Sequence, residues 1–299
     1  MLASGAFTED TVRAAQPLAG LGWMVLAQLC FAAMNVFTRL GSRHLPWPEI
    51  AAARFLVGAL IAVGLAAARG KSLAVTDRGG TWRRSIYGTI SALGTFFALS
   101  SPRVAIGDAA TLGATAPIFV AALSGRLLNE RVGRRLWIAI ALTFLGIVLL
   151  LRPSFTTAAP VAAVATGGAF FYALAMIWLR RIGPAESHEA VVLHFSLVAL
   201  ATMLLLALPS WTWPDARSGL YLLGAGLGGG GAQLAMTRAY SLHRAAPVTA
   251  LSTLGVVFTW LLALPLFPER PTAWQLAGTL LVLAATALIG TATARPRYL

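Results

Sequence analysis

The chain has 299 residues, of which 58% are hydrophobic and 11% are charged, and its formal net charge is +13. This composition is far from that of an average soluble domain, so a membrane protein is the first interpretation. The single cysteine excludes an intramolecular disulfide and a cysteine-based metal cluster.

Ten apolar runs follow one another when the chain is divided at its charged residues. A membrane-spanning helix needs roughly 20 mainly apolar residues. The runs are 14–38, 50–68, 85–102, 109–125, 136–151, 153–179, 190–214, 218–237, 245–268 and 271–294. The connections are short and leave no room for a separate catalytic or nucleic-acid-binding domain. We therefore predict an all-α membrane protein with ten transmembrane helices.

The first 17 residues are interpreted as a cytoplasmic segment, because the apolar run after them is too long for a typical signal peptide. With this orientation, 16 of the 23 Lys and Arg residues lie inside and six outside, and Arg54 lies within a span. The asymmetry follows the positive-inside rule and predicts that both termini are cytoplasmic. The stretch "ARGKSLAVTDRGGTWRR", which includes Arg84, is predicted to be a cytoplasmic loop, with a lipid-headgroup patch as the alternative to a solvated connector.

Glu-Arg pairs recur in the two halves of the chain. "NERVGRRLWIAIALTFLGIVLLL" runs parallel to "PERPTAWQLAGTLLVLAATALIG", so Glu130 and Arg131 precede Glu269 and Arg270 by 139 positions. Each pair either gates or binds a charged group, or joins two helices with the acid near the next helix's N-terminus and the base beside it. The second interpretation is preferred, because both pairs are predicted at the rims of the bundle.

A second match supports an internal duplication. "EIAAARF" corresponds to "EAVVLHF", which pairs Arg54 with His194 and Phe55 with Phe195 at an offset of 140. Each half contains five predicted spans, and an odd number makes the second copy enter the membrane from the opposite side. Inverted repeats of this kind are typical of transporters, in which substrate binds between the halves near the midplane.

The repeated pattern resembles a known family. "AATLGATAPIFVAALSGRLLNERV" and "AAPVTALSTLGVVFTWLLALPLFPERP", each followed by Trp and a long apolar run, resemble the two EamA-type repeats of the bacterial drug/metabolite transporter superfamily. The resemblance extends from about Leu18 to Gly290. It implies ten helices in two inverted five-helix bundles and export of small metabolites, with amino-acid and aromatic amino-acid exporters among the most similar members. The expected divisions are 1–17, repeat one at 18–152, repeat two at 153–292, and a cytoplasmic tail at 293–299.

Polar and aromatic side chains inside the spans are the candidate substrate ligands, because polar groups there tend to face the bundle interior. An amide suits the ammonium and carboxylate of a zwitterion, and aromatic rings supply an apolar wall. Helix packing is the alternative for the hydroxyl residues. The candidates are Gln28, Phe31, Asn35, Tyr87, Ser91, Thr95, Thr115, Tyr172, Trp178, Gln233, Tyr240 and Ser252. The glycine run at 228–231 allows close approach, flexing or exposed carbonyls.

Arg54 and His194 complete the candidate substrate-binding residues. Arg54 lies about 7 Å into its predicted helix, so interface anchoring by snorkelling is weighed against carboxylate binding. For His194, a buried neutral imidazole is preferred to a residue that titrates near neutrality.

The preferred function is export of neutral or aromatic amino acids across the bacterial inner membrane by alternating access. The alternatives are transport of amphiphilic drugs or phosphorylated sugars, and a membrane enzyme. Every acidic residue is predicted in a loop, a terminus or a span end, which favours a facilitator over a proton-driven carrier. The expected partners are a small-molecule substrate, an amino acid or similar metabolite, and the lipid bilayer. No nucleic acid, cofactor, metal ion or catalytic residue is expected, and a monomer is the working hypothesis.

Overall fold

The computed structural model of the chain describes residues 9–100, 106–153, 159–183, 186–266 and 272–294. Within these ranges the regular structure is helical, as predicted. The α-helices are α1 (Glu9–Gly41), α2 (Trp47–Arg69), α3 (Arg78–Ser100), α4 (Ile106–Gly113), α5 (Ala116–Leu127), α6 (Arg134–Leu151), α7 (Ala159–Ile182), α8 (His188–Ala207), α9 (Ala216–Leu242), α10 (Ala245–Leu251), α11 (Leu254–Ala263) and α12 (Ala273–Ala294).

Local sequence signals explain where several helices begin and end. Pro48 stands in the first turn of α2, where its missing N–H costs nothing. Gly70 ends that helix in the left-handed conformation, at φ 59°. The side chains of Ser187 and Asp215 cap the N-termini of α8 and α9 by accepting a backbone N–H three residues on.

The outer surface of the helices is apolar, as the bilayer requires. Leu205 and Leu280 are 69% and 66% exposed, whereas the interior is rich in alanine and glycine. Eight helical stretches are long and apolar enough to cross a membrane by length and composition. Helices α3 and α9 are not among the eight, although both exceed 20 residues. The prediction of an all-helical, multi-pass membrane protein is confirmed, while the count of ten spans stays a prediction.

Two of the predicted spans are broken rather than continuous. The fourth run forms α4 and α5, which are separated at Ala114 and Thr115, and the ninth forms α10 and α11, which are separated at Ser252 and Thr253. The glycine run at 228–231 behaves differently, because α9 continues through it without interruption. The alternative of unwound carbonyls at these glycines is therefore wrong for this conformation.

Helix α3 begins earlier than predicted. The stretch before residue 85 was predicted to be a loop because it is rich in arginine, but α3 begins at Arg78 and includes Arg83 and Arg84. Arg83 is exposed, whereas Arg84 is buried. Division at charged residues cannot distinguish an arginine that faces solvent from one that faces the interior of the bundle. The loop assignment of Arg84 is therefore wrong.

The main helix pairs join the first half of the chain to the second. Helix α1 packs on α9, α2 on α8 and α9, α3 on α7, and α6 on α12. In the predicted duplication α1 corresponds to α7 and α9 corresponds to α3. The α1–α9 pair therefore corresponds to the α7–α3 pair. This pairing agrees with the predicted duplication, and it places the helices with the most polar interiors, α3 and α9, between the two halves.

Four connections meet at one end of the bundle. Glu130, after α5, accepts hydrogen bonds from Arg180 Nε at 2.9 Å and from the backbone N–H of Ala245 at 2.8 Å. Arg180 also donates to the carbonyls of Tyr240 and Ser241, at the end of α9. Arg131 was predicted as the partner of Glu130, but the partner in the structure is Arg180 of the other half. Glu269 and Arg270 lie outside the described residues.

The loop between α2 and α3 belongs to the same end of the bundle. Glu186 accepts hydrogen bonds from the backbone N–H groups of Thr76 and Asp77. His188 shares a hydrogen bond with Ser241, near Arg180. The connections predicted to be cytoplasmic between α2 and α3, α5 and α6, α7 and α8, and α9 and α10 therefore lie together.

Candidate functional site

A buried guanidinium is the centre of the candidate site. Arg84 is 1% exposed and lies about 9 Å along α3 by helical rise. Its Nη2 donates to Gln233 Oε1 of α9 at 3.1 Å, while its Nε and Nη1 have no hydrogen-bond partner. Gly88 provides the space, because a methyl group there would lie 2.5 Å from Nη1. A charged group with unpaired donors is costly to bury, so Arg84 is suited to receiving an anion.

Hydroxyl groups surround the same region. The Tyr240 hydroxyl lies 2.6 Å from Thr249 Oγ1 of α10, and both side chains are fully buried. The Tyr172 hydroxyl of α7 donates to Met236 Sδ at 3.7 Å and also interacts with Ser252. These groups offer donors and acceptors beside aromatic rings, which is what an amphipathic organic molecule requires.

Arg54 points into the bundle and not to its rim. A methyl group at Gly229, the central residue of α9, would lie 2.9 Å from Arg54 Cγ and Nε. The guanidinium carbon lies 5.8 Å from the centre of the Phe31 ring and 4.8 Å from that of Phe55. Interface anchoring was weighed against carboxylate binding for this residue, and its position at the middle of α9 favours the second.

Two phenylalanines connect the two arginines. Phe55 and Phe195 meet edge to face with ring centres 5.3 Å apart, and both are nearly fully buried. Arg54 lies over Phe55, and the guanidinium carbon of Arg84 lies 4.0 Å from the Phe195 ring centre. Cation–π contacts hold a guanidinium without neutralising it. Arg84 thus lies over Phe195 as Arg54 lies over Phe55, although the sequence match paired Arg54 with His194.

His194 of α8 lies next to these two arginines and two phenylalanines and contacts the first turns of α3. Its Nδ1 is 2.8 Å from Ser85 Oγ, and its ring meets the exposed Trp82 edge to face at 4.6 Å. The imidazole is half-buried and hydrogen-bonded. Its hydrogen-bond partner Ser85 directly follows Arg84 on α3.

The α1 candidates separate along their helix. Gln28 is buried, donates to Met24 Sδ at 3.6 Å and lies against Gly255 of α11. Phe31 lies beside Arg54. Asn35 is exposed and donates to Thr259 Oγ1 of α11 at 3.1 Å. Of these three residues, the structure brings Phe31 to the arginine pair, and Gln28 and Asn35 join α1 to α11.

The candidates of α3 beyond Arg84 follow its contact with α7. Tyr87 contacts Phe171 at a tilted angle with ring centres 5.9 Å apart, and Ser91 lies where α3 and α7 approach closely at Gly168. Thr95 is exposed and donates to the carbonyl of Ser91 within its own helix. This geometry favours the packing interpretation for Ser91 and Thr95.

Thr115 and Trp178 have local roles. Thr115 Oγ1 donates to the Leu112 carbonyl at 2.6 Å, and the Thr115 backbone N–H donates to the same carbonyl, at the break between α4 and α5. Trp178 lies between the guanidinium groups of Arg83 and Arg181, at 4.7 and 5.0 Å. A substrate-binding role for these two residues stays a prediction that their contacts do not support.

His243 adds no charge at the Glu130 end of the bundle. His243 follows α9, is 7% exposed, and burial lowers its pKa to about 4. The imidazole is therefore neutral at physiological pH. The positive charge beside Glu130 comes from arginine.

The sequence analysis missed Arg84, Phe55 and Phe195 as site residues. Phe55 and Phe195 had been noted as matching positions of the two halves, and this match was the signal for them. Arg84 carried a weaker signal, the spacing of four from Gly88, because its contacts with α8 and α9 are more than 100 residues away in sequence.

Comparisons with known proteins agree with the fold. Residues 18–152 and 160–291 each match the model of the EamA-like transporter family. A riboflavin transporter of Vibrio cholerae is 29% identical over 254 residues, which cover 82% of this chain and 85% of the relative. A pseudopaline exporter of Pseudomonas aeruginosa is 28% identical over 272 residues, covering 87% and 92%. Among solved structures, a crystal structure matches with a TM-score of 0.81 at 19% identity, covering 95% of this chain and 100% of that one, and this likeness concerns the fold alone.

Proposed function

Because the chain belongs to the EamA-like transporter family, we propose that it carries a small organic molecule with a carboxylate and an apolar or aromatic part across a membrane. Aromatic amino acids, the substrates preferred from the sequence, fall within this class. The proposed location is the bacterial inner membrane, and the proposed mechanism is alternating access between the two halves. Family membership points to transport rather than to catalysis.

The buried Arg84 guanidinium carries this proposal. It lies between helices of the two halves and has two unpaired nitrogen donors. A carboxylate matches a guanidinium in charge and in planar geometry. Tyr172, Tyr240 and Phe195 supply apolar surface for the rest of the molecule, and hydroxyl and amide oxygens nearby are acceptors for an ammonium group.

Export is the proposed direction, and the name of the Pseudomonas aeruginosa relative supports it. The decisive experiment is transport by the purified protein in liposomes with a labelled panel of phenylalanine, tryptophan, threonine, riboflavin, benzoate and a sugar phosphate. We expect aromatic carboxylates to be transported faster than threonine or riboflavin. Transport of none of the panel above the rate of empty liposomes would contradict the proposal.

The proposed mode is facilitation down the gradient of the cargo. Among the described side chains, the carboxylates with resolved contacts lie at helix ends, where Glu49, Glu130 and Glu189 bind loop or helix-end groups. His194, whose Nδ1 lies 2.8 Å from Ser85 Oγ, is the residue proposed to carry a proton if transport is coupled to a pH gradient.

Facilitation is tested against proton coupling in liposomes that hold the same cargo concentration inside and outside, with an imposed pH gradient. We expect no accumulation in the wild type, and no change in transport by His194→Ala beyond that of its folding control, Ser85→Ala. Accumulation driven by the pH gradient, and its loss in His194→Ala, would identify a proton-coupled carrier instead.

A further inference from the structure

We infer that Arg54 and Arg84 form one site for two acidic groups of the same cargo, which makes organic dianions the preferred substrate class. This inference rests on the proposed function, because it names the cargo of the same site. A dicarboxylate or an aromatic acid with a second anionic group is the chemistry expected there. Neutral zwitterions would satisfy one arginine and leave the other unpaired.

The Arg84 guanidinium has fewer hydrogen-bond acceptors around it than it has donors. Its contact with Gln233 uses one nitrogen, and the described residues supply no partner for Nε and Nη1. Gln233 is a neutral amide and cannot balance the charge. Both nitrogens are buried, so an anion reaches them when the helices around Arg84 move apart, and it then makes charge-assisted hydrogen bonds that are shorter and stronger than neutral ones.

Arg54 also lacks an anionic partner among the described residues. Within the described parts of the chain, its close contacts are the Phe31 and Phe55 rings and the backbone of α9 at Gly229. The two ion pairs that the structure resolves there use Glu130 and Glu189, with Arg180 and Arg69 as partners. Neither Arg54 nor Arg84 has a carboxylate counterion in the described structure.

The two guanidinium groups are held as a pair. Arg54 contacts α9 at Gly229 and Arg84 contacts it at Gln233, and residues four apart lie on the same helix face. Helical rise separates these contact points by about 6 Å along the axis. On the other side, the edge-to-face pair of Phe55 and Phe195 joins the two cations. The geometry therefore calls for a ligand whose acidic groups are separated by about one helical turn or more.

Electrostatics favours a dianion over two separate ligands. Arginine stays protonated under physiological conditions, so the buried Arg84 and the half-buried Arg54 place two positive charges beside the apolar Phe55 and Phe195 rings. A single monoanion neutralises one of them. A dianion neutralises both, and it loses the translational freedom of only one molecule.

The test compares aromatic acids of the same size that differ in charge. Binding of benzoate, phthalate, terephthalate and phenylalanine to the purified full-length protein is measured by calorimetry, and transport of each is measured in liposomes. We expect one of the two dicarboxylates to bind about tenfold or more tightly than benzoate, the gain from one additional charged hydrogen-bonded contact. Benzoate affinity equal to or above that of both dicarboxylates, with transport intact, would overturn the inference and leave the proposed function standing.

Substitution of each arginine tests which acidic group of the ligand that arginine binds. Arg54→Gln should reduce dicarboxylate affinity to that of benzoate and leave benzoate affinity within about twofold, whereas Arg84→Gln should weaken both ligands by about tenfold or more. Arg83→Gln is the matched control, because Arg83 adjoins Arg84 but is exposed and stacks on Trp178. If Arg54→Gln does not fold, Arg54→Lys and the wild-type comparison of ligands still decide. Equal loss of benzoate and dicarboxylate affinity in a folded Arg54 variant would assign Arg54 a structural role and overturn the inference.

Discussion

At the scale of single residues, the contact between Arg84 and Gln233 determines whether the site is free to bind an anion. The amide oxygen of Gln233 lies 3.1 Å from Arg84 Nη2 and leaves the positive charge of the guanidinium uncompensated. A carboxylate at the same position would form an internal ion pair. On the proposed function, the neutral amide therefore keeps Arg84 available to the carboxylate of the cargo.

Gln233→Glu should place a carboxylate beside Arg84 that neutralises the charge of its guanidinium. We expect transport and binding of a carboxylate cargo to fall about tenfold or more, because the new carboxylate competes for the guanidinium. Thermal stability in detergent should be unchanged or higher, since the buried charge gains a partner. Gln275→Glu, at the start of α12, adds the same charge far from Arg84 and is the control. Wild-type carboxylate affinity in Gln233→Glu would remove Arg84 from the site.

The helices of this protein could be predicted from its sequence more completely than its candidate site could. Apolar runs of about 20 residues identify membrane helices because the bilayer core demands them, and the runs at 50–68 and 136–151 agree with α2 and α6 to within three residues. The surroundings of Arg84 were not predictable in the same way. They depend on which side of α3 faces α8 and α9, and the two contacts join residues 111 and 149 positions apart.

At the scale of elements, Glu130 links the two halves of the chain. Its two oxygens bind Arg180 of α7 and the first N–H of α10, and the Glu130–Arg180 pair is largely buried. Glu189 also pairs with an arginine, Arg69, whose side chain is 57% exposed. Burial and a second hydrogen bond make the Glu130 contact the stronger of the two.

Glu130→Gln should therefore destabilise the protein more than Glu189→Gln does. We expect a loss of about 1–3 kcal/mol for Glu130→Gln and less than about 1 kcal/mol for Glu189→Gln. Thermal unfolding in the same detergent compares the two variants. Equal melting temperatures for the two variants would show that the bond to α10 contributes nothing.

The glycine run of α9 provides a matched pair of positions within one helix. At Gly229 an added methyl group would lie 2.9 Å from Arg54, whereas at Gly231 its nearest neighbour would be Cys30 Sγ at 3.8 Å. Gly231→Ala should preserve transport and raise stability slightly, because alanine favours helix by about 1 kcal/mol. Gly229→Ala should displace Arg54 and lower transport of the cargo several-fold. Transport measurements that do not distinguish the two variants would show that the position of Arg54 is not critical.

At the scale of the whole molecule, the loops that meet at the Glu130 end are rich in Arg and Lys, and we expect this end to face the cytoplasm. In a Cys30→Ser background, Lys71→Cys marks this end, and Trp213→Cys marks the loop before α9. Both positions are exposed. A membrane-impermeant maleimide applied to intact spheroplasts should label residue 213 directly and residue 71 only after permeabilisation. The opposite labelling pattern would invert the predicted orientation.

The unpaired donors of Arg84 also bear on the kinetics of the transport cycle. An empty carrier that passes through an occluded state must keep a charged group with two unpaired N–H groups away from water. The loaded carrier pairs the same groups with its cargo, so its occluded state is lower in free energy. On the proposed function, we expect the return of the empty carrier to be the slow step and exchange of cargo across the membrane to outpace net flux.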